Sequence, residues 1–345
     1  MEPLPCQWKR FRQTRASGLA TIRDVAARAG VGTATVSRVL NEVAGVRPET
    51  RARVLEAATA LDYRANGVAR ALATGHFRTA GLILPDVSNP FFPALARGVE
   101  DAAHADGYAV IFGNADNVPE REAEYVGLLR DRLVDGMIIA STGAPAALRE
   151  LVGHVPVVLL DRRVPGWHVS CVSTDHRLGA RLAVEHLLAR GHRRIAHLAG
   201  PPGIASAEDR LTGYREALAE AGVEPESGWV ERGAFSYESG YELMLRWIEV
   251  GLDVTAVFAA DDLLAIGALQ ACQDRGWGVP ERLALVGFDD TLLARLVRPR
   301  LTTVLQPAYQ MGVQAWELLA RHMADATAAP AEIVVAPRLV VREST

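Results

Sequence analysis

Beyond residue 78 the chain repeats one pattern: an apolar run of four, a polar break, then apolar positions recurring every three or four residues. The runs are Gly81-Leu82-Ile83-Leu84, Ala109-Val110-Ile111-Phe112, Met137-Ile138-Ile139-Ala140, Val157-Val158-Leu159-Leu160, Ile195-Ala196-His197-Leu198, Ala256-Val257-Phe258-Ala259 and Leu283-Ala284-Leu285-Val286. Helical periodicity lies between most of them, over about 93–106, 120–132, 178–190 and 210–221. Continuous apolar strands separated by helices predict parallel sheets covered on both faces. The alternation extends over about 230 residues, more than one sheet usually holds. It therefore predicts two doubly wound subdomains of the α/β class.

The front of the chain follows another period. Residues 21–41 read TIRDVAARAGVGTATVSRVLN, which predicts two short helices around a glycine turn. Thr21 is placed to cap the first, with Asp24 three residues on as its capping-box partner. Ile22, Val25, Ala26 and Ala29 share one face. Gly30 ends this helix, and a second runs from about Thr33 to Leu40 with Val36, Val39 and Leu40 inward. Eight residues at ~1.5 Å each give about 12 Å of helix, roughly the width of the DNA major groove. An αα-hairpin inside a larger domain would show the same pattern, so the surroundings must decide.

Charge separates the two readings. The chain of 345 residues is mildly acidic, with 37 Lys and Arg against 41 Asp and Glu. Residues 1–76 hold twelve of those bases and six of the acids, a net +6 against −10 for the remainder. A basic head on an acidic body suits a nucleic-acid module joined to something that stays off the polyanion. Length allows two or three domains, and no apolar run approaches the ~18 residues of a membrane span. The N-terminus has no apolar stretch behind Lys9, Arg10 and Arg12, so it is not a signal peptide. Cys6, Cys171 and Cys272 are scattered, forming neither a disulfide framework nor a metal site. A cytoplasmic protein is expected, with residues 1–19 a disordered basic tail.

Ligands of wound sheets bind beyond the carboxyl ends of the strands. Those ends carry Asp86, Ser88 and Asn89 with Phe91 and Phe92, then Asp161 and Arg162, Asp261 and Asp262, and Asp289 and Asp290. Arg210 is expected to open a helix after the Gly200-Pro201-Pro202-Gly203 loop. Carboxylates and a guanidinium around aromatic faces suit a small polyhydroxylated ligand, since each Asp accepts from adjacent hydroxyls and the guanidinium forks onto oxygens. An Asp at a strand end serves equally well as a helix cap. Asp262 and Asp290 are expected mainly to cap, while Asp261 and Asp289 come first after their strands and point to the crevice.

These segments resemble the LacI/GalR family, the lactose-repressor type of transcriptional regulator, over essentially residues 20–343. The resemblance rests on ATIRDVAARAGV, TVSRVLN, VRPETRARV, NPFF, VVLLDR, EDRLTGY, AADDLLAIGAL, ALVGFDD and PRLTTVLQP taken together. It implies a homodimer with an all-α helix-turn-helix headpiece, a hinge helix, and a two-lobed effector domain related to periplasmic sugar-binding proteins. By that resemblance Thr33, Ala34 and Arg38 face base edges, Arg38 as the direct reader of a guanine. Thr35, Ser37, Asn41 and Thr50 sit where the family contacts phosphates. The chain departs from the family's pattern at Gly32, where a capping serine stands. The small Thr33 and Ala34 leave more of the discrimination to Arg38 and to DNA shape.

On its residues alone the segment from Asn66 to Ala73 reads as a linker. The resemblance makes it a hinge that folds only on DNA: Asn66 caps it, Ala69 lets two copies approach and Leu72 wedges into the minor groove. Gly67 weakens its helix by ~1 kcal/mol, and Ala65 replaces a frequent proline. Asn89, Phe91, Asp161, Arg210, Phe235, Asp261 and Asp289 become effector contacts, and Asp261 stands where many members have asparagine. The expected domains are the tail 1–19, headpiece 20–65, hinge 66–77, and an effector-binding and dimerisation domain 78–345. Its first lobe takes about 78–174 and 305–331, its second about 175–304 and 332–345. Asp175 marks the first crossing between lobes and 301–307 the second. With no heptad tail before Thr345, a dimer is expected rather than a tetramer.

Enzymatic readings find little support. No GxGxxG follows a strand, the Gly200–Gly203 loop lacks a GK[ST], and Lys9 is the only lysine. His186, His192 and His197 lack metal-ligand spacing, and no cofactor is expected. The chain is expected to be a repressor that binds a pseudo-palindromic operator as a homodimer, under control of a sugar-like effector in the interlobe cleft. A solute-binding protein is the alternative for 78–345 taken alone, but it would carry a signal peptide and no headpiece.

Overall fold

The computed structural model describes residues 20–40, 44–63, 76–131, 134–142, 155–164 and 166–345, and the chain divides into two compact units, Met1–Phe77 and Arg78–Thr345. The tail 1–19, Asn41, and the expected hinge contacts Asn66, Ala69 and Leu72 lie outside the described residues.

Three helices build the first unit: α1 (Ile22–Ala29), α2 (Thr33–Leu40) and α3 (Pro48–Ala60). Thr21 and Asp24 close the capping box in both directions, and Gly30 ends α1 at φ 65°, a left-handed conformation that glycine adopts without penalty. α2 starts without a side-chain cap; the carbonyl of Gly32 accepts from Thr35 and Val36 instead. α3 opens on Pro48, whose missing N–H is no loss at that position. Val25, Val36, Val39 and Val54 are almost wholly buried where the three helices meet.

The second unit holds two sheets. In the first, β1 (Thr79–Leu84), β2 (Ala109–Asn114), β3 (Gly136–Ile139), β4 (Val157–Leu160), β5 (Ser170–Thr174) and β11 (Glu332–Val335) lie in the order β11-β5-β4-β3-β1-β2, all parallel. The second is formed by β6 (Ile195–Ala199), β7 (Val230–Arg232), β8 (Ala256–Ala259), β9 (Ala284–Asp289), β10 (Thr302–Leu305) and β12 (Arg338–Val340). Its order is β12-β10-β9-β8-β6-β7, parallel except for the β10–β12 pair. The central strands of each sheet are buried on both faces by separate apolar clusters, as parallel pairing requires, while the edge strands β2 and β11 are partly exposed. Helices α4 (Phe91–Ala105), α5 (Pro119–Asp131) and α11 (Ala308–Ala324) serve the first lobe. The second has α6 (His176–Ala189), α7 (Ala205–Glu220), α8 (Tyr237–Glu249), α9 (Asp262–Asp274) and the single turn α10 (Leu292–Leu296).

The chain crosses between lobes three times, after Thr174, after Leu305 and after Val335. The second falls within the expected 301–307, and the third falls later than expected. Leu305 still pairs with Asp289 in the second sheet, and Glu332–Val335 pairs in parallel with Cys171–Thr174, so 332–335 belongs to the first lobe and not the second. Arg210 does not open its helix either: α7 begins at Ala205 and places Arg210 in its second turn. Two expected caps are also reassigned. Asp261 caps α9 through Leu264 N–H, whereas Asp262 accepts from Thr291 N–H and Thr303 Oγ1. Asp290 pairs with Arg295 and Arg342 rather than capping.

His197 is a core residue between Tyr214 and Phe258, its Nδ1 2.9 Å from the Phe258 carbonyl oxygen. Burial pushes its pKa down to about 3. Cys171 and Cys272 are buried free thiols, both pushed up to about 12 by burial. No group of side chains able to hold a metal occurs among the described residues, and no described helix is long and apolar enough to cross a membrane.

α4 and α11 pack backbone to backbone at Gly98 and Gly312. A Cβ on Gly98 would meet the Tyr309 carbonyl oxygen at 2.0 Å, and one on Gly312 the Leu95 carbonyl oxygen at 2.2 Å. Gly98→Ala is therefore expected to cost about 1–3 kcal/mol by overpacking, read as a lower midpoint in urea unfolding. An unchanged midpoint would mean that the helix pair parts freely.

Candidate functional site

In the headpiece, Thr33, Ala34 and Arg38 are exposed together on one side of α2, while Thr35, Ser37 and Thr50 are half-buried. The opposite side of α2 spends Val36 and Val39 on the core. Arg51 reaches from α3 to the carbonyl of Val39 at 3.4 Å and ties down the end of α2. The outward side of α2 thus presents a guanidinium among small side chains, a surface that fits into a groove without obstruction.

The second site lies between the lobes. All seven expected effector contacts, Asn89, Phe91, Asp161, Arg210, Phe235, Asp261 and Asp289, line one cleft, joined by Phe92, Arg162 and Ser206. Strand ends place most of them. Asp161 follows β4 at φ 67°, and Asp289 ends β9 at φ 115°, both in the left-handed region that costs a non-glycine residue of order 1–3 kcal/mol. Phe235 enters because residue 200 is glycine: a Cβ there would stand 2.4 Å from Cζ of the ring.

Arg210 organises the second-lobe wall. Its guanidinium lies 3.9 Å over the Phe288 ring and 5.8 Å from the Phe235 ring, and Nη1 donates to the Ala260 carbonyl. Asp289 faces Nη2 at 3.9 Å and accepts from Gln306 Nε2 at 2.6 Å. In the first lobe Arg162 lies 5.6 Å over Phe92 and donates to the Ser141 carbonyl, while buried Glu122 accepts from Ser141 Oγ. The lobes also meet directly: Asn89 Nδ2 donates to Asp261 Oδ2 at 3.0 Å across the cleft. Arg162, Phe92 and Ser206 were not among the expected contacts. The Asp161-Arg162 and Phe91-Phe92 pairs at strand ends carried that signal, whereas nothing local marks Ser206.

Three cleft atoms have no hydrogen-bond partner within the chain: Asp161 Oδ1, Arg162 Nε and Arg210 Nε. Leaving a buried polar group unmet costs about 1–3 kcal/mol, so together they form a ready set of one acceptor and two donors.

Residues 21–66 match the family described as bacterial regulatory proteins of the lacI type, and 184–345 match the periplasmic binding protein-like domain. The chain is 40% identical over 330 residues to the HTH-type transcriptional regulator GalR of Escherichia coli K12, covering 94% of this chain and 96% of that one. It belongs to the LacI family. The Lac repressor dimer, solved bound to operator and the anti-inducer ONPF, superposes with a TM-score of 0.85 at 29% identity, over 95% of this chain and 99% of that one. A transcriptional regulator CelR–cellobiose complex gives 0.71 at 35% identity over 94% and 100%. The LacI-family assignment makes the headpiece a DNA-binding module and the chain a transcriptional regulator.

Burial raises Asp261 to about 6, against the pull of Leu264 N–H and Arg210, and lifts Asp289 well above the usual carboxylate range. Unfolded Asp ionises near ~3.9, so the folded chain holds the Asp261 proton longer. The stability from that protonation is complete below pH ~4 and is lost as pH rises through about 6. Asp261→Asn keeps an acceptor for Leu264, gives up the bond from Asn89 Nδ2, and removes the ionisation. Its unfolding temperature is expected to depend less on pH than the wild type's between those limits. Parallel curves would place the ionisation elsewhere.

Proposed function

We propose that this chain is a repressor that binds a pseudo-palindromic operator as a homodimer and answers to a sugar or sugar derivative in the interlobe cleft. Arg38, with Thr33 and Ala34, reads base edges; Thr35, Ser37, Asn41 and Thr50 hold phosphates. Leu72 is the minor-groove wedge of a hinge that Asn66 caps and in which Ala69 permits close pairing of two copies. Asn89, Phe91, Asp161, Arg210, Phe235, Asp261 and Asp289 contact the effector. The observation that carries the ligand class is the unmet set of Asp161 Oδ1, Arg162 Nε and Arg210 Nε beside the Phe91, Phe92 and Phe235 rings. Adjacent hydroxyls both donate and accept, and a sugar's C–H face covers an aromatic ring.

Cellobiose in the CelR complex is consistent with this class. The cleft is read as a binding site and not a catalytic one, in keeping with relatives named as transcriptional regulators. A cytoplasmic location follows from action on DNA. The proposed working domains are the headpiece 20–65, the hinge 66–77 and the effector domain from 78 onward.

The test is fluorescence anisotropy with duplexes selected from a randomised pool, at two salt concentrations and with a panel of sugars. Tight sequence-dependent binding that one sugar alters supports the proposal, whereas binding that is equal on every duplex and fades with salt refutes base reading. Arg38→Ala is expected to weaken selected duplexes about 5- to 150-fold, the equivalent of ~1–3 kcal/mol for one bidentate base contact, with little change on random DNA. Arg210→Ala is expected to abolish the sugar response and leave operator affinity intact; equal loss of both would contradict its assignment.

A further inference from the structure

His176 opens α6, two residues past β5, and its side chain is buried to within 3%. It was not singled out by sequence, yet its ring joins the two lobes. Nε2 lies 3.3 Å from the main-chain carbonyl oxygen of Asp161, at the end of β4 in the first lobe. Nδ1 lies 3.2 Å from Nη2 of Arg210, on α7 of the second. Both contacts constrain the ring's proton. A guanidinium only donates, so Nδ1 must accept, and a neutral ring then carries its proton on Nε2, facing the Asp161 carbonyl. Burial, with Arg210, Arg162 and Arg163 close by, holds the imidazole pKa well below 6.5 and keeps the ring neutral. Phe288 backs both partners, 6.0 Å from the imidazole and 3.9 Å from the guanidinium.

We propose that His176 is a positioning residue that couples the angle between the lobes to the effector-binding guanidinium of Arg210. The proposal rests on Arg210 contacting the effector. One N–H of Nη1 goes to Ala260 and one of Nη2 to His176, while the Nε N–H has no partner within the chain. Rotating one lobe on the other moves the Asp161 carbonyl relative to α6. The imidazole is rigid, so a tilt that keeps Nε2 on that carbonyl displaces Nδ1 and turns Arg210. Hydrogen bonds weaken steeply with misalignment, so Arg210 offers its free donor in register with Asp161 at one lobe angle only. By reciprocity an effector that holds Arg210 favours that angle.

Two amide variants separate the two bonds. The Asn carboxamide reaches the position of Nδ1 and the Gln carboxamide that of Nε2. His176→Asn keeps an acceptor for Arg210 and drops the link to Asp161; His176→Gln keeps the link and releases Arg210; His176→Leu loses both. Calorimetry on the full chain with D-ribose, D-glucose, D-galactose and cellobiose first finds a sugar that binds the wild type. With it, His176→Gln is expected to bind about tenfold or more weakly, as for a lost bond to a charged group. His176→Asn is expected to keep sugar affinity within about threefold, well under the cost of a lost charged hydrogen bond, but to lose the sugar-induced change in operator affinity. His176→Leu is expected to lose both, and the Asn and Gln variants to melt close to the wild type. Nitrogen-15 spectra of labelled histidine are expected to show His176 protonated on Nε2.

Three variants that match the wild type in binding and response would overturn the coupling alone. So would losses that simply track the melting temperature, or a proton found on Nδ1. If no sugar binds the wild type, the sugar reading falls and takes this proposal with it.

Discussion

A guanidinium keeps its charge at any working pH, so a chain that buries one must surround it with acceptors and π faces or lose several kcal/mol. Arg210 is 4% exposed, and much of the second lobe's strand-end geometry answers that demand. The Ala260 carbonyl comes from the turn after β8, the Asp289 carboxylate from the end of β9, and the Phe288 ring from the residue before it. Those groups are themselves fixed: Ala260 N–H donates to Leu198 in β6, and Asp289 is held by Gln306 at the second crossing. One buried charge therefore sets the register of loops that are far apart in sequence. The strained φ at Asp289 and the raised carboxyl pKa values near it are the local cost of this arrangement.

Most of the strands that form the sheets' middles were readable, because four consecutive apolar residues admit few other environments. The strands that escaped did so for physical reasons. β5 reads Ser-Cys-Val-Ser-Thr and β10 opens Thr-Thr, hydroxyl-rich strings that look exposed. Both are buried with most of these hydroxyls met from outside the strand, Ser170 by His322, Thr174 by Met311 and Thr303 by Asp262, while Ser173 Oγ has no partner. β11 pairs at a sheet edge with alternate residues in solvent, and β7 and β12 are only three residues long. The cleft followed from the rule that ligands sit at carboxyl strand ends, and that rule located the carboxylates well. It could not locate Ser206, which lines the cleft, or His176, which contacts Asp161 and Arg210 behind it; both lie in the first turn of helices and are brought there only by the tertiary placement of α6 and α7. Asp261 shows a different limit. Capping and lining were weighed as alternatives, and one carboxylate does both, with Oδ1 on Leu264 N–H and Oδ2 on Asn89.

The crossings also shape what an interlobe movement can be. Each is short, at Asp175, at Gln306-Pro307 and at Ala336-Pro337, and proline fixes φ in two of them. Three close tethers resist separation and sliding more than rotation about a common axis, which is hinge motion. Two bonds between the lobes, His176 to the Asp161 carbonyl and Asn89 to the Asp261 carboxylate, span that movement.

The position of β11 has a further consequence, for synthesis. The three-helix headpiece has every described core residue within its first 63 positions and can fold while the ribosome is still early in the message. The first lobe has no such freedom. Its strand β5 leaves the ribosome with one edge bare, and the partner for that edge, Glu332–Val335, follows roughly 160 residues later. At bacterial translation rates that is an interval of about 10–30 s. Throughout it a nascent sheet edge of five residues is open to pairing with any other extended chain. Completion of both lobes thus waits for β11 and β12, which come late in the chain.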